Sequence, residues 1–194
     1  MEPITLTTDR LLLRPFTAAD TEAVYVACQD PEIPRWTTVP QPYTREHAQI
    51  FVTEICAAGW RADTSYNLAV TRRDDGALVG AVGLVRLSLA EPVRTAELGY
   101  WTAKEQRGHG YTAEAGDALS TWALRTLGVE RLEWLAEAGN EASRAVALRI
   151  GFTLEGTLRA QIPRGDTRRD AWIGSLLPSD RGMVAGRQYV PYGR

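Results

Sequence analysis

Three consecutive strand patterns, followed by one long helix pattern, constrain the fold of this chain most strongly. Apolar residues have strand-like spacing in 65–73, 78–88 and 95–103. The turn Asp75-Gly76 between the first two segments is a strong hairpin signal. Residues 111–127 then place their apolar side chains along one side of a helix, and Gly128 can end it. An antiparallel sheet must therefore lead directly into a helix.

Shorter elements are predicted on both sides of this centre. The expected strands are 8–16, 131–137, 153–160 and 170–178, and the expected helices are 17–30, 140–152 and one from Thr44 to near Gly59. A proline-rich arm covers residues 31–43, and the charged turn "PRGDTRR" (163–169) joins the last two strands. The strand-helix-strand order around 111–127 predicts a local parallel pair of strands.

We therefore expect a single mixed α/β domain over residues 1–194. Its sheet should contain about seven strands, mostly antiparallel, with four or so helices packed against it. The core is expected to extend over about 8–178, and residues 179–194 are expected to form a surface tail. A chain of 194 residues is long enough for one domain with a sizeable core.

Composition argues against several classes of partner. The formal net charge of -2 offers no general attraction to nucleic acid or to an anionic membrane. No apolar run approaches the roughly 20 residues that span a bilayer. Cys28 and Cys56 give neither a disulfide framework nor zinc-ligand spacing, so no metal is expected. Nothing resembles a signal peptide, and we expect a cytoplasmic protein.

The stretch "RGHGYT" (107–112) has the composition of an anion-binding loop. A helix N-terminus offers unpaired backbone N–H groups and a partial positive charge, so phosphates bind there if the approach is clear. Gly108 and Gly110 clear that approach, Arg107 adds a cation, and the helix begins near Tyr111. We interpret the loop as a pyrophosphate cradle. The alternative is a plain glycine loop before an amphipathic helix.

Two other phosphate-binding motifs fit less well. A Walker A loop would require Gly-Lys-Ser/Thr, which does not follow these glycines. Gly108, Gly110 and Ala113 fit the dinucleotide fingerprint G-x-G-x-x-A, and Glu133 lies about 20 residues further on. That motif follows a buried strand almost directly, whereas "TAKEQR" intervenes here. A dinucleotide-dependent oxidoreductase is therefore a distant alternative.

Four blocks of sequence occur in a characteristic order over nearly the whole chain. They are "TDRLLLRPFTAAD", "AELGYWTAKEQRGHGYTAEA", "NEASRAVALRIGF" and "TLEGTLRA". Together they resemble the GNAT N-acetyltransferases, and in particular the RimJ/RimL-type branch. The signature of that family, Arg/Gln-x-x-Gly-x-Gly/Ala, falls on residues 107–112. Thr112 stands where the signature has Gly or Ala, a departure that is common in this branch.

The resemblance implies that the chain uses acetyl-CoA. The loop would hold the pyrophosphate, and the pantetheine arm would lie along the strand ending in "GYWTA", like an added strand. The sheet must then open between "ELGYWTA" and "RLEWLAE", and an N–H near Tyr100 or Trp101 would stabilise the oxyanion. The expected cofactor-binding residues are Tyr100, Trp101, Thr102, Ala103, Arg107, Gly108, His109, Gly110, Tyr111, Thr112 and Asn140.

The implied reaction is direct acetyl transfer to an amine, in which an ammonium loses a proton and a thiolate gains one. Glu97, just upstream of the cofactor strand, is the candidate base, and burial beside Trp101 or Trp172 would raise its pKa. Ser143 is the candidate acid, because the branch motif N-x-x-S falls on Asn140 and Ser143. The alternatives are an ordinary strand carboxylate and ordinary helix-start residues.

Two aromatic residues of the proline-rich arm are candidates for acceptor binding. Trp36 and Tyr43 either line the acceptor pocket or fasten the arm to the core. His109 occupies a variable position of the signature, so we expect it to be exposed beside the phosphates. The charged turn 163–170 either overhangs the mouth of the acceptor site or is a solvated hairpin turn.

The branch resemblance points to the α-amine of a protein or peptide N-terminus as the acceptor. Since a fold does not determine a substrate, a small-molecule amine and another acyl donor such as succinyl-CoA stay open. A groove open at both ends would indicate a peptide, whereas closure by residues 31–43 would indicate a small molecule. A non-catalytic acyl-CoA-binding protein is a further alternative. Relatives are often dimers, so a homodimer is one expected assembly.

Overall fold

One sheet organises the computed structural model, which describes residues 1–192. Its strands are β1 (Leu6–Thr7), β2 (Leu11–Arg14), β3 (Tyr66–Arg72), β4 (Leu78–Ser88), β5 (Thr95–Thr102), β6 (Arg131–Glu137), β7 (Thr153–Arg164) and β8 (Thr167–Leu176). The strands lie in the order β1-β2-β3-β4-β5-β6-β8-β7. The mixed α/β fold and the mostly antiparallel sheet are confirmed, with β1 as one strand more than expected.

Six α-helical segments connect and cover these strands within the described residues. They are α1 (Thr21–Ala27), α2 (Glu32–Trp36), α3 (Arg45–Ile50), α4 (Cys56–Ala62), α5 (Tyr111–Arg125) and α6 (Glu141–Ile150). A π-helical turn, Phe51–Ile55, joins α3 to α4. The proline-rich arm is therefore partly helical, because α2 lies within it. None of the helices in residues 1–192 has the length and apolar character needed to cross a bilayer.

The sheet opens at its centre, between β5 and β6. These two strands pair in parallel, as expected, but only from Thr95–Arg131 to Glu97–Glu133. Beyond that row β5 continues to Thr102 and β6 continues to Glu137, but the two strands no longer pair with each other. All the other strand pairs are antiparallel. The predicted separation of "ELGYWTA" from "RLEWLAE" is therefore present.

Two hydrophobic clusters pack on opposite faces of the sheet. The first includes Leu98, Leu119 and Ile150, and it joins the sheet to α5 and α6. The second includes Ala81 and Val24, and it joins the sheet to α1, α2 and α3. Because side chains of a strand alternate between faces, β3, β4 and β5 each contribute to both clusters.

The last hairpin is longer than expected. β7 and β8 run through the charged segment 163–169, and the turn itself is confined to Gly165 and Asp166. All residues of 163–169 except the half-buried Arg164 are exposed, and no apolar side chain other than Pro163 lies among them, so the segment carries no alternating pattern to identify it. A bulge at Ala160, with φ of 54°, is held by a hydrogen bond from its N–H to Asp170 Oδ1.

The helix that starts after Thr44 does not end at Gly59, contrary to expectation. It continues to Ala62, and Asp63 is the left-handed residue that follows. Gly59 lies buried inside α4, where a Cβ atom would collide with Ser65, 2.7 Å from its carbonyl oxygen. This glycine therefore serves close packing rather than helix termination.

The predicted surface tail is anchored at its start. Arg181 donates to the Ile150 carbonyl (2.6 Å) and forms an ion pair with Asp117 (2.6 Å). Met183 packs against the first cluster. The following residues up to 192 are mostly exposed, and the tail residues 193–194 lie outside the described part.

The substitution Gly59→Ala tests the packing of α4. At an open helix position this change would stabilise the protein by up to about 1 kcal/mol. Here we expect a net loss of about 1–3 kcal/mol, because the new methyl group collides with backbone. Urea unfolding measures the change. Ala58→Gly, at an exposed position of the same helix, should cost only the propensity term of about 1 kcal/mol, and a stabilised Gly59→Ala protein would contradict the packing.

Candidate active site

Both loop glycines have a backbone conformation that favours glycine. Gly108 and Gly110 have φ of 81° and 79°, in the left-handed region. Nothing lies within 4 Å of a Cβ position at Gly108, and Gly110 is the residue immediately before α5. The chain turns sharply into the helix here, so the first N–H groups of α5 stand at an uncrowded surface. This geometry suits an anion.

Thr112 and Thr102 explain the departure from the family signature. Their hydroxyl groups hydrogen-bond to each other, which ties the first turn of α5 to the end of β5. A glycine or alanine at position 112 would lose this link. The hydroxyl of Thr112 thus contributes to the position of the loop.

Arg107 does not point toward the start of α5, contrary to its expected place beside the phosphates. Its guanidinium donates to the Thr102 carbonyl from Nε (3.2 Å) and from Nη2 (3.1 Å). Nη2 also forms an ion pair with Asp30, at the start of the proline-rich arm. The donors of Arg107 are therefore used within the protein.

A different arginine lies beside the loop. The guanidinium of Arg149, in the last turn of α6, comes within 3.5 Å of a Cβ position at Gly110. It makes no ion pair with the described residues. Sequence reasoning missed it, because a cation near a helix end is ordinary and only the packing of α6 against α5 brings it here.

His109 and Tyr111 form the outer side of the loop. Their rings stack with centroids 5.3 Å apart, and His109 is exposed. Arg10 lies over the Tyr111 ring at 4.6 Å and donates to the His109 carbonyl (3.1 Å). The exposure expected for His109 is present.

Backbone groups of β5 face the opening at alternate residues. The Thr102 carbonyl accepts from Arg107 instead of from β4, so it points into the open side. Since backbone groups of a strand alternate in direction, the N–H and C=O of Tyr100 point there as well. Ala103 was expected to hydrogen-bond to the pantetheine arm through its backbone, but its N–H donates to the Val79 carbonyl (2.8 Å). By the same alternation, the amide of Trp101 faces β4.

Ser143 joins the two sides of the opening on the α6 face. Trp134 Nε1 on β6 donates to its hydroxyl (3.0 Å), and the Tyr100 hydroxyl on β5 lies 3.1 Å from the same oxygen. The Tyr100 hydroxyl donates to the Ser143 carbonyl (2.9 Å), and burial holds the pKa of Tyr100 above its ordinary value. Asn140 Oδ1 accepts from the Ser143 N–H (3.1 Å) and so caps α6.

Glu97 lies at the base of the opening on the opposite face. Its neighbours Ala96 and Leu98 pack into the first cluster, so Glu97 faces the α1–α2 side. Its side chain is only 14% exposed and pairs with Arg86 (2.9 Å). Burial raises the pKa of Glu97, Arg86 lowers it, and Glu133 raises it.

Burial raises the pKa of Glu97, as expected, but Trp172 does not contribute to that burial. Trp172 lies under Arg144 at 5.3 Å and packs into the first cluster, so it is on the other face from Glu97. Trp101 is on the Glu97 face but four residues further along β5. After burial, the charges of Arg86 and Glu133 are the next causes, and they shift the pKa of Glu97 in opposite directions.

The two aromatic residues of the arm have different surroundings. Tyr43 packs against the second cluster, where burial raises its pKa, and its carbonyl accepts from Gln29 (3.2 Å). Trp36 stacks with Arg35 (4.0 Å) and donates to Glu32 (3.0 Å) on the surface of α2. Tyr43 thus fastens the arm, whereas the half-buried Trp36 makes its contacts within α2.

Neither cysteine is poised as a nucleophile. Cys28 and Cys56 are buried in the second cluster, and burial raises the pKa of each thiol to about 12. Both stay protonated thiols near neutral pH, whereas the thiolate is the reactive form. Within residues 1–192, no group of three or more His, Cys, Asp or Glu side chains has an arrangement that could hold a metal ion.

Comparison with known proteins identifies the class that this site defines. The acetyltransferase (GNAT) domain matches residues 10–153. The uncharacterized N-acetyltransferase YoaA of Bacillus subtilis (strain 168) is 30% identical over 177 residues, which are 91% of this chain and 98% of YoaA. The ribosomal-protein-serine acetyltransferase of Escherichia coli (strain K12) is 34% identical over 79 residues, 40% of this chain and 44% of its own.

Solved structures agree on the fold. One of them is RimL, a ribosomal L7/L12 alpha-N-protein acetyltransferase solved with coenzyme A. It matches this chain with a TM-score of 0.79 and 20% sequence identity, and the match covers 91% of this chain and 98% of the RimL chain. The chain therefore belongs to the GNAT family of N-acetyltransferases. It is an acetyl-CoA-dependent enzyme that transfers the acetyl group to an amine.

The ionisation of Glu97 should respond in opposite directions to its two charged neighbours. Arg86→Gln should raise the pKa of Glu97 further, because a stabilising positive charge is lost. Glu133→Gln should lower it, because a repelling negative charge is lost. NMR titration of the labelled Glu97 carboxyl measures both shifts. The Arg86 effect should weaken in high salt, since Arg86 is largely exposed. Shifts in the same direction would contradict this electrostatic arrangement.

Proposed function

We propose that Glu97 and Ser143 carry out the two proton transfers of an acetyl transfer that takes place in the opening between β5 and β6. The observation that carries this proposal is their placement on opposite faces of the same opening. Glu97 lies in the last paired row, and Ser143 bridges the first unpaired part of β5 and β6. An amine that arrives on the α1–α2 face would meet Glu97. A thiolate that leaves on the α6 face would meet Ser143.

The raised pKa of Glu97 fits the role of a general base. A base is most effective when its pKa lies near the working pH, so that it is ionised yet still accepts a proton. Burial moves the pKa of Glu97 in that direction, and Arg86 limits the rise. The carboxylate would accept the ammonium proton directly or through water, after which the neutral amine attacks.

The hydrogen bonds of Ser143 leave its own proton available. Trp134 donates to the Ser143 hydroxyl, and the single proton of the Tyr100 hydroxyl is directed to the Ser143 carbonyl. The Ser143 hydroxyl therefore donates, either to Tyr100 or to a thiolate in the opening. The hydrogen bond from Trp134 would also stabilise the negative charge that develops on the Ser143 oxygen as the hydroxyl gives up its proton.

Acetyl-CoA supplies the thioester whose carbonyl is attacked. The amide of Tyr100 points into the opening and is the candidate donor to the developing oxyanion. The N–H groups that begin α5, with the cation of Arg149 beside Gly110, would hold the diphosphate. Tyr100 and Thr102 would hold the pantetheine through their backbone groups, as an added strand is held.

As the acceptor we propose the α-amine at the end of a peptide or protein chain. The E. coli relative acts on a ribosomal protein serine by its name, which supports this class. α2 also lies over one side of the opening, since Arg35 contacts Glu137 of β6 (2.9 Å). Because α2 lies within residues 31–43, this partial closure favours a small-molecule amine, which is the second candidate. A homodimer and a cytoplasmic location stay predictions.

Turnover of variants tests the two roles. Release of the coenzyme A thiol should fall about 10²–10⁴-fold in kcat for Glu97→Gln, and a loss of similar kind is expected for Ser143→Ala. Coenzyme A binding, measured by calorimetry, should stay near the wild-type value in both variants. Glu54→Gln, at an exposed position of the π-helical turn, is the matched control and should change nothing. Unchanged turnover in the Glu97 and Ser143 variants would remove the assigned roles.

The acceptor is tested with a panel of amines. Peptides with a free α-amine should be acetylated, and the same peptides with a blocked α-amine and a free lysine should not. Small amines, including aminoglycoside-like compounds, form the second arm of the panel. Mass spectrometry locates the added acetyl group. Acetylation of small amines alone would exclude the peptide proposal.

A further inference from the structure

Arg107 connects the cofactor loop to the proline-rich arm. Its guanidinium joins the Thr102 carbonyl, at the end of β5, to the carboxylate of Asp30. The Asp30 side chain is only 10% exposed. Asp30 in turn contacts the first turn of α2, because its Oδ1 accepts from the Glu32 N–H (3.3 Å) and its carbonyl accepts from the Ile33 N–H (3.1 Å).

The other end of α2 is attached to β6. Arg35 donates to one oxygen of Glu137 (2.9 Å), and Arg164 of the last hairpin donates to the other (3.1 Å). Arg164 also donates to the Thr37 carbonyl (2.9 Å), just after α2. The Glu137 side chain is 4% exposed, and Arg35 and Arg164 lower its pKa. This attachment stays charged at neutral pH.

The two attachments place α2 across the mouth of the opening. Arg107 ties its start to the end of β5, and Arg35 ties it to the end of β6. These are the two strands between which the acetyl donor would lie. The position of the arm is therefore set by the same strands that form the reaction site.

We infer that Arg107 is a positioning residue for the acceptor site rather than a ligand of the diphosphate, an inference that rests on the proposed function. Turning its guanidinium toward a phosphate would break the link to Asp30 and leave a nearly buried carboxylate without its cation, which is costly. Arg149 already supplies a cation at Gly110 and has no carboxylate to give up among residues 1–192. The two arginines thus have different roles: Arg149 binds the cofactor, and Arg107 positions the proline-rich arm.

The experiment compares Arg107→Ala, Asp30→Asn and Arg149→Ala with the wild-type chain. Coenzyme A affinity is measured by calorimetry, and the KM of the amine is measured at saturating acetyl-CoA. Arg107→Ala should raise the amine KM about tenfold, as loss of a charge-assisted hydrogen bond does, with coenzyme A affinity near wild type. Asp30→Asn keeps an oxygen that can accept from the Glu32 N–H but loses the charge, so it should reproduce the KM effect. Arg149→Ala should show the reverse pattern.

Hydrogen exchange of residues 30–37 provides a readout that needs no turnover. Exchange should accelerate in Arg107→Ala and Asp30→Asn, and the double variant should add little to either single one. Arg45→Ala removes an exposed ion pair with Glu22 and should leave all three measurements unchanged. If the wild-type chain acetylated no amine, the proposed function would fail, while hydrogen exchange would still test the link.

Two results overturn the inference. One is a loss of coenzyme A affinity in Arg107→Ala as large as that in Arg149→Ala, with exchange of residues 30–37 unchanged. The other is an Asp30→Asn variant with a wild-type amine KM and wild-type exchange, since Asp30 is the partner through which Arg107 would act. If Arg107→Ala shows a mixed effect, the Asp30 variant decides between the two roles.

Discussion

The early end of pairing between β5 and β6 is the constraint on which the rest of the structure depends. Pairing stops at Glu97 and Glu133, and both strands continue beyond that row. A sheet that loses backbone hydrogen bonds in its middle must satisfy those groups elsewhere. Arg107 satisfies one of them, the Thr102 carbonyl. The remaining free groups of Tyr100 make an edge that another extended chain, such as the pantetheine arm, can join.

Arginine side chains hold the elements around this opening. Arg107 holds the start of the arm, Arg35 and Arg164 hold its far side through Glu137, and Arg86 forms an ion pair with Glu97. Each of the carboxylates involved is largely shielded from solvent, so the pairs are worth more than exposed surface pairs. Each of these pairs requires both of its members, because removal of either one leaves the other charge buried without a partner. The chemistry of the site therefore depends on groups that do not themselves react.

The sequence predicted those parts of the fold that have a strong local pattern. β4 and β6, the helix start at Tyr111 and the caps at Thr44 and Asn140 follow from alternation, helical spacing and capping chemistry. The strands at the charged end of the last hairpin could not be predicted in this way, because a strand that is polar on both faces shows no alternation of apolar and polar residues. Contacts between distant elements also could not be predicted from the sequence. Nothing in the sequence around Arg107 indicates its contact with Asp30, and nothing around Arg149 indicates its contact with Gly110. Motif positions predicted the candidate site, but the direction of each side chain required tertiary packing.

Amide exchange of Tyr100 and Thr102, followed residue by residue by NMR with and without saturating coenzyme A, tests the central claim most directly. If the opening between β5 and β6 receives the pantetheine arm, both amides exchange readily in the free protein and become protected on binding. Amides of Trp101 and Ala103, which face β4, should be protected in both states and serve as the internal reference. Exchange at Tyr100 and Thr102 that is already slow without coenzyme A, or that stays unchanged when it binds, would contradict the account.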